Sequence, residues 1–310
     1  MTESHPPSAA PARHAADADC IRLHPPAKIN LNLLVNRKTE SGYHPLDSVV
    51  VHISLHDAIE LSARDDGEVT FEADGIECGP LQSNLAHAAA CVLRRLARSV
   101  GLDVPGVDVR LTKQIPPGSG LGGGSSDAAS VLMGLNDLWQ LSRSREQLAV
   151  LAAELGSDVP LFLGPPALRM TGYGDTVERV DVHPFWALLH TPDLHCPTRA
   201  VYRAFDADPP ETAVPLAPAT FAERPSSWRG LLVNQLATAA MRVEPELAER
   251  FERLNALLPA PVCVTGSGSA MFMIADTQAE ARRALAALPE DLRVRTQVIR
   301  NLSASSGKES

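Results

Sequence analysis

Residues 116–130 read PPGSGLGGGSSDAAS: two prolines, five glycines within seven positions, then serines opening an alanine-rich segment. Glycine in an ordered segment costs about 0.5–1 kcal/mol relative to alanine. A packed connection does not need that many, and a flexible linker would not run straight into a helix. What such a loop gains is close approach of its backbone to something large. A phosphate chain at a helix N-terminus is the leading candidate.

Three phosphate-loop readings compete. Gly118, Gly120 and Gly123 satisfy GxGxxG, but a dinucleotide loop joins the first strand of a parallel sheet to its helix. This one follows Pro116-Pro117 and lies more than ninety residues after the first extended segment. No GK[ST] follows the glycines, so a Walker A loop is excluded. The HRD and DFG signatures of protein kinases are absent. What remains is a glycine loop whose serines, Ser125 and Ser126, open a helix. Its N–H groups and the helix dipole suit a triphosphate, and a serine hydroxyl suits a phosphate or Mg²⁺.

Around the loop the chain alternates strand and helix patterns. IRLHPPAKINLNLLVN (21–36) reads as extended, with Ala27, Ile29, Leu31 and Leu33 on one face and Lys28, Asn30 and Asn32 on the other. SVVVHISLHDAIEL and EVTFEA follow as strand regions. Ser83 or Asn84 caps the helix LAHAAACVLRRLARSVG, and VDVRLTK is the strand leading into the glycine loop. SREQLAVLAAELG is another helix, with Ser157 or Asp158 in capping position after it. Past Gly164-Pro165-Pro166 come short strands, the helix TRAVYRAF, a Pro/Ala/Ser-rich connection over 207–227, and helices near 229–241 and 245–258. PVCVT, AMFMIA, TQAEARRALAAL and RVRTQVI close the chain as half of a ferredoxin-like unit. This mixture is α+β. The expected division is a tail over 1–20, domains over 21–166 and 167–302, and a second tail over 303–310.

A net charge of −9 argues against a non-specific nucleic-acid surface, so an anionic substrate needs locally placed cations. Five cysteines, an odd number without a CxxC pair, suit reduced thiols in a cytoplasm better than disulfides or zinc. No apolar run reaches the roughly 18 residues of a membrane span. His52 and His56 share a strand face but have no third ligand, and are read as surface or packing residues.

PPGSGLGGGSSDAAS resembles the second motif of the GHMP kinases; PPAKINLNL (25–33) resembles their first and VTGSGSAMF (264–272) their third. The three occur in order across about residues 21–302. GYHPLDSVV (42–50) and LGSDVPLFL (155–163) resemble the branch acting on a cytidine diphosphate-linked alcohol in non-mevalonate isoprenoid synthesis. RMTGYGDTVERV (169–180) and Asn234-Gln235 depart from that branch's pattern.

The resemblance implies a two-domain fold: a ribosomal protein S5 domain 2-like N-terminal half and a ferredoxin-like C-terminal half. It implies an ATP-dependent small-molecule kinase with Mg²⁺, monomeric or weakly dimeric. Lys28 and Asp158 become the catalytic pair, although pattern alone makes Lys28 part of a solvated strand face and Asp158 a cap. Pro116, Pro117, Gly118, Ser119, Gly120, Leu121, Gly122, Gly123, Gly124, Ser125 and Ser126 become the ATP loop, with Ser126 a magnesium contact. Asn84 and Lys113 lie around the adenine, where the plain readings are a helix cap and a strand-end charge. Asn30, Tyr43, His44, Thr198, Tyr202, Gly266, Ser267 and Gly268 become the acceptor site, with Tyr43 and Tyr202 stacking on the cytosine. A homoserine- or mevalonate-type kinase is the alternative within the family, and a non-catalytic ligand sensor the alternative outside it.

Overall fold

The computed structural model describes residues 20–40, 42–211 and 213–303, so both expected tails lie almost wholly outside the described residues. The first half runs β1 (Cys20–Leu23), β2 (Pro26–Val35), β3 (Leu46–His56), β4 (Ala58–Arg64), β5 (Val69–Gly75), α1 (Leu85–Ser99), β6 (Gly106–Lys113), α2 (Gly123–Leu138) and α3 (Arg145–Leu155). The second runs β7 (Ala167–Gly172), β8 (Thr176–Arg179), β9 (Trp186–His190), α4 (Thr198–Ala207), α5 (Pro225–Trp228), α6 (Ala237–Val243), α7 (Pro245–Leu257), β10 (Val262–Val264), β11 (Met271–Ala275), α8 (Gln278–Ala287), α9 (Glu290–Arg293) and β12 (Thr296–Arg300).

Three four-stranded sheets organise these elements, in the orders β1-β4-β6-β5, β2-β3-β7-β8 and β10-β11-β9-β12. Parallel β5 and β6 are joined through α1, as a crossover must be. The third sheet is antiparallel throughout, and its order makes β9 and β11 the central strands of a ferredoxin-like arrangement. The helix expected between β9 and β10 is expanded into α4 to α7.

One core packs α1, α2 and α3 on the first sheet through Leu61, Leu93, Val109, Val131 and Leu135. A second fills the C-terminal half around Leu188, Val201, Leu247 and Met273. Between them, Ile29, Val51 and Ile53 of the middle sheet meet Phe185, Leu189, Trp228 and Phe272. β7 and β8 pair onto β3, so a division at 166/167 does not coincide with a sheet boundary.

Two local expectations change. The polar face of β2 is not solvated: Lys28, Asn30 and Asn32 are 4%, 5% and 3% exposed. The register slips between Asn30 and Asn32, and the strand is covered on both faces. The helix expected near 229–241 is confined to α6, Ala237–Val243, after a short 3-10 turn at Arg229–Leu231. The intervening residues run beside the end of β2, where Gln235 N donates to Leu33 O and Val35 N donates to Gln235 Oε1. Hydrogen bonding to β2 outcompetes helical periodicity there.

Candidate active site

The three motifs interlock through backbone hydrogen bonds. Lys28 N donates to Leu121 O at 2.9 Å, tying the first motif to the glycine loop, and Ala270 N donates to Ser119 O at 3.0 Å, tying in the third. Gly120 sits at φ +80°, where a Cβ would lie 2.3 Å from Thr265 O. The loop's glycines therefore serve contact between motifs as well as access to a ligand. Gly122, at φ 71°, is the left-handed N-cap of α2.

The first intrahelical bond of α2 runs from Ser126 N to Gly122 O. That leaves the N–H groups of Gly123, Gly124 and Ser125 without upstream carbonyls, the usual condition of a helix start. A cavity of about 310 Å³ opens there, lined by Asn84, Lys113, Pro116, Pro117, Gly118, Ser119, Gly120 and Gly122 through Ser125, together with Cys78, Ser83, Leu85 and Asp127. Asn84 keeps its plain role too, its side chain accepting from Ala86 N and His87 N as the cap of α1.

Lys113 is more than a strand-end charge. Its ammonium is 3% exposed and held between Asp57 and Asp127, the latter at 2.9 Å. Asp57, in the one-residue link between β3 and β4, also accepts from Ile115 N at 2.8 Å and from Gln114 N. Burial pushes the Asp127 carboxyl up to about 7; Lys113 opposes this and Asp57 reinforces it. Its Oδ1 has no protein partner. Asp57 and Asp127 were not anticipated from sequence. The available signals were an acid one helical turn beyond Gly123 and a lone acid between two apolar strands.

A second cavity, about 380 Å³, shares Gly118, Gly120, Gly122 and Ser125 with the first. Its remaining wall includes Lys28, Asn30, Asp158, Thr198, Tyr202, Gly266 and Ser267. Lys28 Nζ donates to Asn30 Oδ1 at 2.8 Å and lies 3.9 Å from Asp158 Oδ2. Burial pulls the lysine below its ordinary value, and Asp158 pulls it back up. Asp158 precedes the 3-10 turn Val159–Leu163 but makes no side-chain cap bond, so its carboxylate is left for the cavity. Asn30 is fixed by Ser48 Oγ and Thr265 Oγ1, and Asn234 Nδ2 holds the third motif through Val264 O and Gly266 O. Thr198 and Ser267 bridge at 3.0 Å.

Other expected residues lie elsewhere. Ser126 is fully buried with an unpartnered Oγ and lines neither cavity; Ser125 lines both. Gly268 packs near Cys196, Leu247 and Ala240. Tyr43 is 70% exposed with its ring edge-on to Tyr173, whereas Tyr202 lies 5.1 Å from His44. His44 Nε2 is engaged by Asp206 Oδ1 at 2.7 Å. His52 stacks on Phe162, and burial pushes it down to about 4, so it is a neutral packing group.

Two cavities thus meet at a glycine wall, with a lysine and a carboxylate on one side. Residues 84–164 match the GHMP kinases N terminal domain family, and residues 217–294 match the GHMP kinases C terminal family. A 4-diphosphocytidyl-2-C-methyl-D-erythritol kinase from Shouchella clausii (strain KSM-K16) is 35% identical over 262 residues, covering 83% of this chain and 86% of its own. The chain belongs to the GHMP kinase family. A crystal structure of a 4-(cytidine 5'-diphospho)-2C-methyl-D-erythritol kinase superposes with a TM-score of 0.77 at 34% identity, over 92% of this chain and all of its own. A homoserine kinase from Cytophaga hutchinsonii ATCC 33406 shares the fold at a TM-score of 0.67 and 16% identity, covering 94% and 98%. As a GHMP kinase, the protein is an ATP-dependent phosphotransferase with an α+β fold. No helix among the described residues is long and apolar enough to cross a membrane.

Proposed function

We propose that this GHMP kinase transfers the γ-phosphoryl group of ATP to the 2-hydroxyl of 4-diphosphocytidyl-2-C-methyl-D-erythritol. The observation that carries the reading is the Lys28–Asp158 pair, 3.9 Å apart on the acceptor side of a glycine wall shared with a second cavity. ATP occupies the cavity at the start of α2, its phosphates against the N–H groups of Gly123, Gly124 and Ser125. The cytidine-linked alcohol occupies the other cavity.

Asp158 accepts the hydroxyl proton as the acceptor oxygen bonds to phosphorus. The bond from the γ-phosphorus to the bridging oxygen breaks, and ADP carries away that electron pair. Lys28 holds positive charge beside the transferring group, where phosphoryl transfer depends mainly on positioning and neutralisation. Tyr202 offers its ring to the cytosine. With Nε2 held by Asp206, His44 retains Nδ1 for the base edge.

Magnesium fits the donor set. Ser125 and Asp158 offer oxygens, and no group of three or more His, Cys, Asp or Glu able to hold a metal occurs among the described residues. Most of its ligands would thus be phosphate oxygens and water, as is common for this ion, which when bound neutralises phosphate charge. Five free thiols suit a reducing cytoplasm.

The test is ADP release with ATP and each of three acceptors: the cytidylyl compound, homoserine and mevalonate. Turnover with the cytidylyl compound alone supports the reading. Preference for either other acceptor assigns the chain to another GHMP activity, and nucleotide binding without turnover on any of them makes it a sensor.

A further inference from the structure

Away from both cavities, a third concavity of about 350 Å³ lies between α1 and the start of β5, lined by Glu68, Val69, Cys91, Arg94, Arg95 and Arg98. Cys91, Arg94, Arg95 and Arg98 are spaced i, i+3, i+4 and i+7, which places them on one helical face. Arg94 and Arg98 converge: their guanidinium tips lie 3.4 and 3.8 Å from the point where a Cβ on Gly67 would stand. Arg94 Nε is buried with no protein hydrogen-bond partner among the described residues, and buried donors in folded proteins are nearly always paired. No carboxylate stands within 4.0 Å of any of these three guanidiniums among the described residues, whereas Arg64, Arg169, Arg229 and Arg250 each hold at least one. Glu68 is the one acid in the lining, and it forms no ion pair among the described residues.

A cation in the last turn of a helix meets the negative end of the helix dipole, which accounts for Arg98. It does not account for Arg94, a turn earlier, aimed at the same point with a buried donor unused. On a chain of net charge −9, three unpaired guanidiniums around one hollow form a local reversal of field.

We propose that this hollow is a second anion site, separate from the catalytic one, that takes a phosphate or diphosphate group. Guanidinium forks match phosphate oxygens in pairs. A diphosphate spans two convergent arginines better than a single carboxylate does, and the concavity is large enough to receive it. Arg94 and Arg98 lie ten and fourteen residues along α1 from Asn84, roughly 15 and 21 Å from the nucleotide cavity at 1.5 Å per residue. The two sites are therefore spatially separate, with no lining residue in common.

Pyrophosphate binding is measured by calorimetry on the full chain, with the glycine-loop cavity first saturated by a non-hydrolysable ATP analogue and the second cavity by the cytidylyl acceptor. The expected result is one residual site, weakened at least tenfold in the Arg94→Gln/Arg98→Gln variant, with ATP turnover unchanged. Parallel titrations with inorganic phosphate separate the two occupants: equal affinity means one phosphate is read, and tighter pyrophosphate means two. No residual site in the wild-type protein overturns the proposal and needs no variant to do so. Residual binding that survives the double substitution in a folded protein also overturns it. So does an acidic peptide of polyglutamate that binds there while both phosphate probes do not.

Discussion

Lys28 Nζ and Asp158 Oδ2, 130 residues apart in the chain, stand 3.9 Å from each other at the floor of one cavity. The lysine is almost fully buried, while 39% of the aspartate side chain is exposed. That asymmetry suits the roles proposed for them: a fixed cation beneath the phosphoryl group and an accessible base facing the acceptor. Asp158→Asn should preserve both Michaelis constants within a few-fold. It should lower kcat by about 10²–10⁴-fold, the usual contribution of general-base catalysis. Steady-state kinetics on the variant is the check, and near-normal turnover would remove Asp158 from the chemistry.

The glycine loop separates folding from binding by position. Gly120→Ala forces a Cβ to 2.3 Å from Thr265 O at φ +80°, and Gly123→Ala brings one to 2.7 Å from Lys113 Nζ. Larger side chains at Gly122 or Gly123 therefore test folding together with ATP binding. Gly124 has ordinary backbone and only Leu85 Cδ1, at 3.9 Å, near its Cβ position, yet it lines the cavity proposed for the nucleotide. Gly124→Ala should leave the melting temperature within about 2 °C and weaken ATP binding. Gly120→Ala should lower the melting temperature by about 4 °C or more, consistent with roughly 1–3 kcal/mol of strain. Thermal melts and nucleotide titrations on both variants separate the effects.

Much of this architecture is legible in the sequence because its signals are local. The three motifs, the Asn84 cap and the period-2 pattern of β2 can be read residue by residue. What escapes is whatever depends on a partner far along the chain. Lys28 looks solvated until the third motif covers its face of the strand. Asp57 and Asp127 look unrelated, being 70 positions apart, until Lys113 is buried between them. Ser125 and Ser126 are indistinguishable as letters; the rotation of α2 turns the first toward the cavities and the second into the core. The 229–236 stretch is helix-compatible locally but is claimed by the edge of β2.

The buried Asp57–Lys113–Asp127 group predicts a pH effect of unusual sign. Asp127 sits at about 7 in the folded protein, above its ordinary carboxylate value, so between about pH 4 and 7 the native state binds more protons than the unfolded chain. Stability then falls as pH rises through that window, and the cost is fully present above pH 7. Asp127→Asn retains one carboxylate for the Lys113 ammonium and removes the titration. Its melting temperature relative to wild type should therefore improve by about 2–4 °C from pH 5 to pH 8, on the order of 1 kcal/mol. Parallel pH series of thermal melts test this. A constant offset between the two proteins would mean that Asp127 stays ionised throughout.

The acceptor contact proposed for Tyr202 has a direct test. The residue lines the cavity proposed for the acceptor, its ring 5.1 Å from His44, which in turn is pinned by Asp206. Tyr43 is exposed beside Tyr173, so a cytosine stacked on Tyr202 would meet Tyr43 only if that side chain turned inward from its present edge-on contact. Base stacking on an aromatic side chain contributes about 1–3 kcal/mol. Tyr202→Ala should raise KM for the cytidylyl acceptor at least tenfold and leave KM for ATP unchanged, whereas Tyr202→Phe should behave as wild type. Packing on α4 is the rival role, because Tyr202 also contacts the C-terminal core. That role predicts a loss of melting temperature in Tyr202→Ala with both Michaelis constants intact. A Tyr43→Ala variant completes the comparison: a tenfold rise in acceptor KM there as well would place both rings on the base, and no change would leave Tyr202 as the single stacking face.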